Sequence, residues 1–387
     1  MVRTAIGEHT VRMATAIALG RARSDLDVMS RAGLPLHEFL LEAATALQRV
    51  VPFVGACLAT LDPATSIVSG VGKTGALLGR NDLDVAWAQI EYGDDDDPTA
   101  LATMVRSGRT SMAVREELGD IHRSARMADL IVPGFGFRDE ARTVFRDRAG
   151  AWGAISLFRD TDDDPFSRED LDFLAEAAPA FTRGIRSGLL VQLSRGERSH
   201  DSGPAVIIVG ADDRVVQATP SAQSRLAHLS DAPGTSDPLT FVYSLVSGAR
   251  RWARGETDRM PRVRIRTPDG VWLMVHATPL VGSGERAGDV VVTIEEARPQ
   301  EVVELVAAAF GLTARERDVT ALVLRGADTK EIAATMHVSP YTVQDHLKSI
   351  FDKAGVASRR ELVARVYFDQ YAPRFGDPLG VDGWYAD

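Results

Sequence analysis

The sequence predicts a multidomain α+β chain: a mixed α/β unit, a smaller α+β unit, and an all-α tetrahelical helix-turn-helix segment at the C-terminal end. Three observations predict it. Near the C-terminus apolar residues recur at helical spacing between cap residues that mark off four short helices. Earlier in the chain, strand-like runs such as Val54–Leu61, Ala151–Phe158 and Ala205–Val209 are separated by helical stretches. Breaks at 194–203 and at Arg298-Pro299 divide these regions. At 387 residues the chain has room for two or three domains. Its 45% hydrophobic and 25% charged content is ordinary for globular protein.

Taken in order, residues 1–33 form an N-terminal helical segment, with a helix expected from Thr10 to Ala22 and stopped by Gly33 and Pro35. Residues 34–193 form the α/β unit. Leu36–Val50 carries Leu36, Phe39, Leu40, Ala43 and Leu47 at helical spacing. Val54–Leu61 and Ser66–Gly70 read as strands joined by a turn at Asp62-Pro63, and 77–127 reads as helix and loop. Phe135–Phe145 and Ala151–Phe158 are further strands, and Ser167 caps a closing helix from Arg168 to about 193. Residues 203–297 form the second unit, with strands at Ala205–Val209 and Val215–Ala218, a helix at Ser221–Leu229, and a Pro/Gly/Ser-rich loop to Pro238. Strands at Arg262–Arg266, Val271–Pro279 and Asp289–Glu296 follow, the first two joined by the turn Thr267-Pro268-Asp269-Gly270. A linker helix occupies 298–310, the helix-turn-helix segment 311–371, and a tail 372–387.

The C-terminal segment is the most informative. Thr313 with Glu316 and Asp328 with Glu331 fit capping boxes, in which a side-chain oxygen covers a free N–H and a carboxylate reaches back for another. Ser339 caps a third helix with Pro340 at its first position, and Ser358 with Glu361 opens a fourth. Gly326 and Gly355 stand where helices end in a left-handed residue. On the third helix Val343, Leu347, Ile350 and Ala354 form a buried stripe, while Gln344, Asp345 and Lys348 point away from it. Patterning alone fits a groove-reading helix or a small bundle with solvated polar faces.

The residues decide between these. Leu312-Thr313, Arg315-Glu316-Arg317, Val319, Lys330-Glu331-Ile332-Ala333, Ser339, Thr342-Val343, His346-Leu347, Lys353, Gly355-Val356, Arg359 and Glu361-Leu362 closely resemble the helix-turn-helix domain of the LuxR/NarL/FixJ transcription regulators. The resemblance runs over residues 312–362 and implies a domain that binds double-stranded DNA as a homodimer. It places Gln344, Asp345 and Lys348 at base-facing positions, where Gln suits adenine, Lys suits guanine and Asp can accept from cytosine N4. Asp345 also reads as an ordinary exposed helix residue. Lys330, Thr342 and Lys353 match positions that touch the DNA backbone and set register. His346 is read either as a phosphate contact or as packing against the second helix.

Ahead of this domain, the words AWGAISLFR and DPFSREDLDFLAEAA are similar to the last strand and helix of a GAF domain. The second unit resembles a PAS domain, with Thr219-Pro220-Ser221-Ala222 where that family often has an Asn-x-Ala word. Both resemblances imply sensor folds with a pocket between sheet and helices, so a small-molecule ligand is an expected partner and RNA polymerase a further candidate. The second reading is a small-molecule sensor whose helical end dimerises or meets another protein.

Several chemistries are set aside. The net charge of −10 argues against a general nucleic-acid coat or an anionic-membrane binder. From 301 to 371 nine basic residues face ten acidic ones, so a single copy is expected to bind DNA weakly. One cysteine, Cys57, permits no internal disulfide and points to a reducing compartment. No apolar run reaches spanning length and the first residues lack a signal-peptide core, so a cytoplasmic location is expected. Gly70-Val71-Gly72-Lys73-Thr74 lacks the first glycine of a phosphate-binding loop, Ile67 standing there instead. The runs Asp94–Asp97 and Asp162–Asp164 lack a calcium-loop pattern and read as solvated loops. His228 and His276 belong to no ligand-spaced cluster, and Trp87, Trp152, Trp252 and Trp272 read as core or pocket wall. No cofactor, metal site or catalytic set is expected.

Overall fold

A computed structural model of the chain describes residues 2–93, 97–191, 203–229, 237–268, 270–282 and 286–368. The expected tail at 372–387, the break at 194–202 and the Pro/Gly/Ser-rich stretch 230–236 lie outside the described residues. In the first unit, α1 (Val2–Arg31) and α2 (Leu36–Gln48) precede the hairpin β1 (Gly55–Leu61) and β2 (Val68–Gly75). Then come α3 (Asp84–Gly93), α4 (Leu101–Ser107), β3 (Ser111–Ala113), the short helices α5 (Val114–Leu118) and α6 (Val132–Phe135), β4 (Asp139–Asp147), β5 (Gly150–Arg159) and α7 (Arg168–Leu190). The sheet is antiparallel with strand order β2-β1-β5-β4-β3.

One face of this sheet carries the core. Leu58, Ile155, Leu157 and Phe145 pack against Phe39 of α2 and Phe181 and Ile185 of α7. Phe145 and Phe181 stack with centroids 4.4 Å apart. Gly184 and Gly188 of α7 let α2 come close: a Cβ on Gly184 would lie 2.1 Å from the Phe39 ring. The N-terminal helix is longer than its apolar spacing suggests. Its Ala22 and Leu26 join this core, and Arg183 of α7 holds Asp27 and Ser30 at 2.6 and 2.9 Å. Residues 16–31 thus belong physically to the first unit.

The opposite face is shaped by alternation along the strands. Register places Lys73, Cys57, Ser156 and Arg142 in one row across the sheet, and Val71, Ala59, Ala154 and Val144 in the next. The two central strands contribute only small side chains to these rows, which leaves a hollow beneath α3. The Gly-Val-Gly-Lys-Thr run is therefore strand β2, two residues beyond the expected start and five beyond the expected end. Lys73 is buried in an ion pair with Asp84, and it also donates to Arg80 O at 2.5 Å and Asn81 Oδ1 at 3.0 Å. Asp97, expected in a solvated loop, instead accepts from Thr99 N at 2.7 Å and Ser124 Oγ at 2.9 Å. It borders a buried network in which Arg126 bonds Glu140 at 2.8 Å and Arg142 bonds Glu91 at 2.9 Å.

The second unit repeats the same strand permutation. Its elements are β6 (Ala205–Val209), β7 (Val215–Ala218), α8 (Pro220–Leu229), α9 (Leu239–Ala253), β8 (Arg262–Arg266), β9 (Trp272–Pro279) and β10 (Val290–Glu296), with sheet order β7-β6-β10-β9-β8. The helix α9 was not expected. Phe241, Val242, Leu245, Val246 and Ala249 form its buried stripe, hidden in the sequence by a preceding Pro/Gly-rich stretch that reads as loop. Thr219, at the start of the Thr-Pro-Ser-Ala word, ties the strand edge to the chain before it: its Oγ1 accepts from Val206 N at 3.0 Å and donates to Pro204 O at 2.8 Å. His276 lies on β9, where burial pushes its ring below the usual histidine range.

Arginines join the units. Arg264 of β8 grips Asp62, in the β1–β2 turn, through Nε at 2.8 Å and Nη2 at 2.5 Å. Its Nη1 donates to Glu301 O, in the first turn of the linker helix α10 (Pro299–Ala309), at 2.9 Å. Arg266 donates to Leu189 O and Val191 O at the C-terminal end of α7, where exposed carbonyls favour a cation. Arg186 of α7 does the same at the far end of α10, reaching Ala309 O with Nε and Nη2 at 3.1 Å each. The linker helix is thus held near its start by the second unit and at its end by the first.

Asp62 is 4% and Arg264 8% exposed, so removing the carboxylate leaves a buried guanidinium without its partner. Asp62→Ala is expected to destabilise the two-unit body by about 3–5 kcal/mol. A urea titration followed by tryptophan fluorescence checks this: the midpoint should fall, and an unchanged midpoint would show that the pair does not hold the units together.

Candidate nucleic-acid interface

Four helices follow the linker: α11 (Ala314–Leu324), α12 (Thr329–Met336), α13 (Pro340–Ala354) and α14 (Arg359–Val363). Their starts are set locally. Glu316 N reaches Thr313 Oγ1 at 3.3 Å while Glu316 Oε2 accepts from Thr313 N at 2.6 Å. Asp328 accepts from Lys330 N and Glu331 N at 2.7 and 2.9 Å. Ser339 Oγ takes Thr342 N at 3.1 Å, and Ser358 Oγ takes Glu361 N at 3.2 Å. Gly326 and Gly355 adopt φ of +84° and +65°. The turn between α12 and α13 is made differently: His337 takes the left-handed conformation with φ +55°, a strained choice that histidine tolerates better than most side chains.

Val319, Val323, Ile332, Val343 and Ile350 fill the core of this bundle, each at most 2% exposed. The stripe Val343, Leu347, Ile350 and Ala354 faces inward as its spacing requires. Its consequence is the orientation of the other face. Gln344, Asp345 and Lys348 are exposed on one ridge of α13, and Tyr341 extends that ridge by one turn at 76% exposure. The positions 341, 344, 345 and 348 are neighbours on a helix surface. Among the described residues none covers this ridge. Lys330 is exposed in the first turn of α12, while Thr342 and His346 are half-buried. The Thr342 hydroxyl lies 2.9 Å from Ser339 Oγ, so it serves the cap as well.

Lys353 has a role that its position in the sequence did not show. Its Nζ sits 2.7 Å from both Glu316 oxygens, and Ser349 Oγ donates to the same carboxylate at 2.6 Å. Glu316, expected only as a capping residue, is 4% exposed and ties α11 to the C-terminal half of α13. Burial alone would raise its pKa, but the hydrogen bonds from Lys353, Ser349 and Thr313 outweigh it and hold the carboxyl at about 2. The signal available in the sequence was the pairing of one buried-side acid with a lysine and serine four residues apart on another helix, and nothing local says that these helices meet.

Comparisons with known proteins agree with this geometry. Residues 311–366 match the family described as bacterial regulatory proteins, luxR family, and this segment is a LuxR-family helix-turn-helix domain. The chain is 45% identical over 56 residues to the monoamine regulon transcriptional regulator of Klebsiella aerogenes, covering 14% of this chain and 25% of that protein. It is 38% identical over 55 residues to the spore germination protein GerE of Bacillus subtilis, covering 14% of this chain and 74% of that protein. A longer alignment joins it to an HTH-type transcriptional regulator of Mycobacterium tuberculosis, 28% identical over 195 residues, 46% of this chain and 21% of that one. The chain thus spans about a fifth of the length of that mycobacterial regulator. Among solved structures, the Vibrio cholerae VqmA dimer, a LuxR-type receptor, is 21% identical, covering 43% of this chain and 82% of that one, with a TM-score of 0.20 that describes no common superposition. No helix among the described residues is long and apolar enough to cross a membrane.

Glu316→Gln keeps the shape and removes the charge. It is expected to destabilise the reader domain by about 1–3 kcal/mol. Because the folded carboxyl titrates at about 2, below its unfolded range, its contribution is complete above about pH 4.5 and fades as pH falls towards 2. Thermal unfolding of the two proteins between pH 7 and 2 checks this: the gap should close on the acid side, and a constant gap would contradict the assignment.

Proposed function

We propose that this chain is a sequence-specific transcription regulator that reads the major groove of double-stranded DNA with α13, as a homodimer on paired half-sites. The observation that carries the reading is the uncovered ridge of Gln344, Asp345 and Lys348 on a helix whose opposite face is locked into a LuxR-family domain. A helix of this width fits the major groove, and the three side chains offer a bidentate amide, an acceptor and a cation to base edges. Lys330, exposed in the first turn of α12, contacts phosphate, as do the half-buried Thr342 and His346 of α13. Lys353 supports the helix through Glu316, and shares its remaining hydrogen-bonding capacity with phosphate.

Charge explains why two copies are needed. The linker helix and the reader together carry nine basic and ten acidic residues between 301 and 371, so nonspecific attraction to phosphate is weak and affinity depends on simultaneous engagement of two half-sites. The first and second units act as the sensing part, in the cytoplasm. Since Arg264 and Arg186 hold α10 from both units, a ligand that shifts one unit against the other moves the linker and changes the spacing of the two readers. RNA polymerase is the partner through which such a regulator acts on transcription.

The test begins with selection of bound duplexes from a random pool by the full-length chain. On the selected sites, Lys348→Ala is expected to cost about 1–3 kcal/mol and to relax choice at one base pair. Lys330→Ala is expected to weaken binding on all sequences alike and to reduce the slope of log affinity against log salt by about one unit. Gel-shift titrations at several salt concentrations measure both, and unchanged affinity, sequence choice and salt slope in the two variants would overturn the proposal.

A further inference from the structure

The hollow beneath α3 is a small cleft of about 60 Å³, open at its mouth. It exists because the central strands carry Cys57 and Ala59 on β1 and Ala154 and Ser156 on β5, all small, between longer neighbours. One wall is Trp87 of α3. Another is Thr240 of α9, so the cleft is closed jointly by the first and second units. The same seam is bonded beside it, where Asp84 Oδ2 accepts from Asp237 N at 3.0 Å.

The lining says what kind of molecule fits. Every charge on it is already matched: Lys73 with Asp84, and Arg142 with Glu91 at 2.9 Å. A charged ligand would lose its water and meet no unpaired countercharge. Burial also pushes the Cys57 thiol up to about 12, so it faces the cleft uncharged. Two neutral hydroxyls remain. Thr240 Oγ1 is buried with no hydrogen-bond partner, and Ser156 stands on the cleft floor. A buried hydroxyl left unmatched is costly, which makes Thr240 a site for a partner atom, and the Ser156 hydroxyl on the floor can serve a second. The rest of the lining includes Ala59, Val71, Ala154 and the Trp87 ring.

We propose that this cleft binds a small uncharged molecule with an apolar body and a hydroxyl or carbonyl group, with Ser156 and Thr240 as its hydrogen-bonding partners. It rests on the reading of these units as the sensing part, and gives that part a ligand class and a location at the seam between the units. A molecule seated there touches both units, and these are the bodies that clamp α10.

Saturation-transfer NMR on the full-length chain tests it with three probes of one size: benzyl alcohol, benzoate and benzylammonium. Benzyl alcohol is expected to bind, with the two ions at least tenfold weaker. Ala154→Leu, which fills the hollow, should abolish its signal. Ser156→Ala and Thr240→Val, which remove one hydrogen bond each, should weaken it roughly threefold to tenfold. These two variants keep the test decisive if leucine disturbs the sheet. No signal from benzyl alcohol, equal binding of either ion, or less than a twofold change in both hydroxyl variants would overturn the proposal. Gel shift on selected DNA separates the two readings: loss of the ligand result with DNA binding intact overturns this inference alone.

Discussion

The orientation of α13 in its domain depends on one buried carboxylate. Glu316 closes the cap of α11 and accepts from Ser349 and Lys353 on α13, so a single side chain fixes two helices against each other. The apolar stripe of α13 sets which face is buried. It does not by itself stop the helix sliding or rotating slightly on a surface of aliphatic side chains, because hydrophobic contact is non-directional. The charged hydrogen bonds at 2.6–2.7 Å supply that direction. Lys353 therefore acts first on the protein. Gln344, Asp345 and Lys348 on the opposite face are free of such duties, which leaves them available for recognition.

A second set of charges connects the reader to the rest of the chain. Arg264 joins the first unit's turn, the second unit's sheet and the start of α10, while Arg186 holds the end of α10 and also bonds Asp147 at 3.0 Å. Buried guanidiniums are demanding, since each needs several acceptors in fixed places. Such contacts are remade or broken in discrete steps more readily than they are stretched. The apolar side of α10, with Val302, Leu305 and Val306 buried, is continuous with the cores of the first unit and of the reader. The seam between the first two units is thus physically connected, through α10, to the helix-turn-helix domain.

The parts legible in the sequence were those decided within one helical turn or one hairpin. The caps at Thr313, Asp328, Ser339 and Ser358 and the strand Ala205–Val209 stand where local chemistry put them. What could not be read depends on distant partners. The glycines of the Gly70-Val71-Gly72 run disguised β2, whose register is set by pairing with β1. Helix α9 was hidden because Pro238 and the small residues before it read as loop, while its buried stripe acquires meaning only against the second sheet. Arg126, Glu140 and Arg142 resemble surface charges in sequence and are all at most 1% exposed in the fold. For the candidate site, the ridge residues followed from helical spacing and family resemblance, whereas the bond between Lys353 and Glu316 joins residues on separate helices and has no local signature.

The central claim is that the α13 ridge enters the major groove in two copies. It is tested most directly by attaching an iron chelate to a cysteine at position 344, in a Cys57→Ser background, and mapping hydroxyl-radical cleavage of DNA selected by the unmodified chain. The account predicts two clusters of cleavage, each centred on a major groove and related by a dyad, about one helical turn or a whole number of turns apart. Cleavage spread evenly along the duplex, or none above the free chelate, would contradict it.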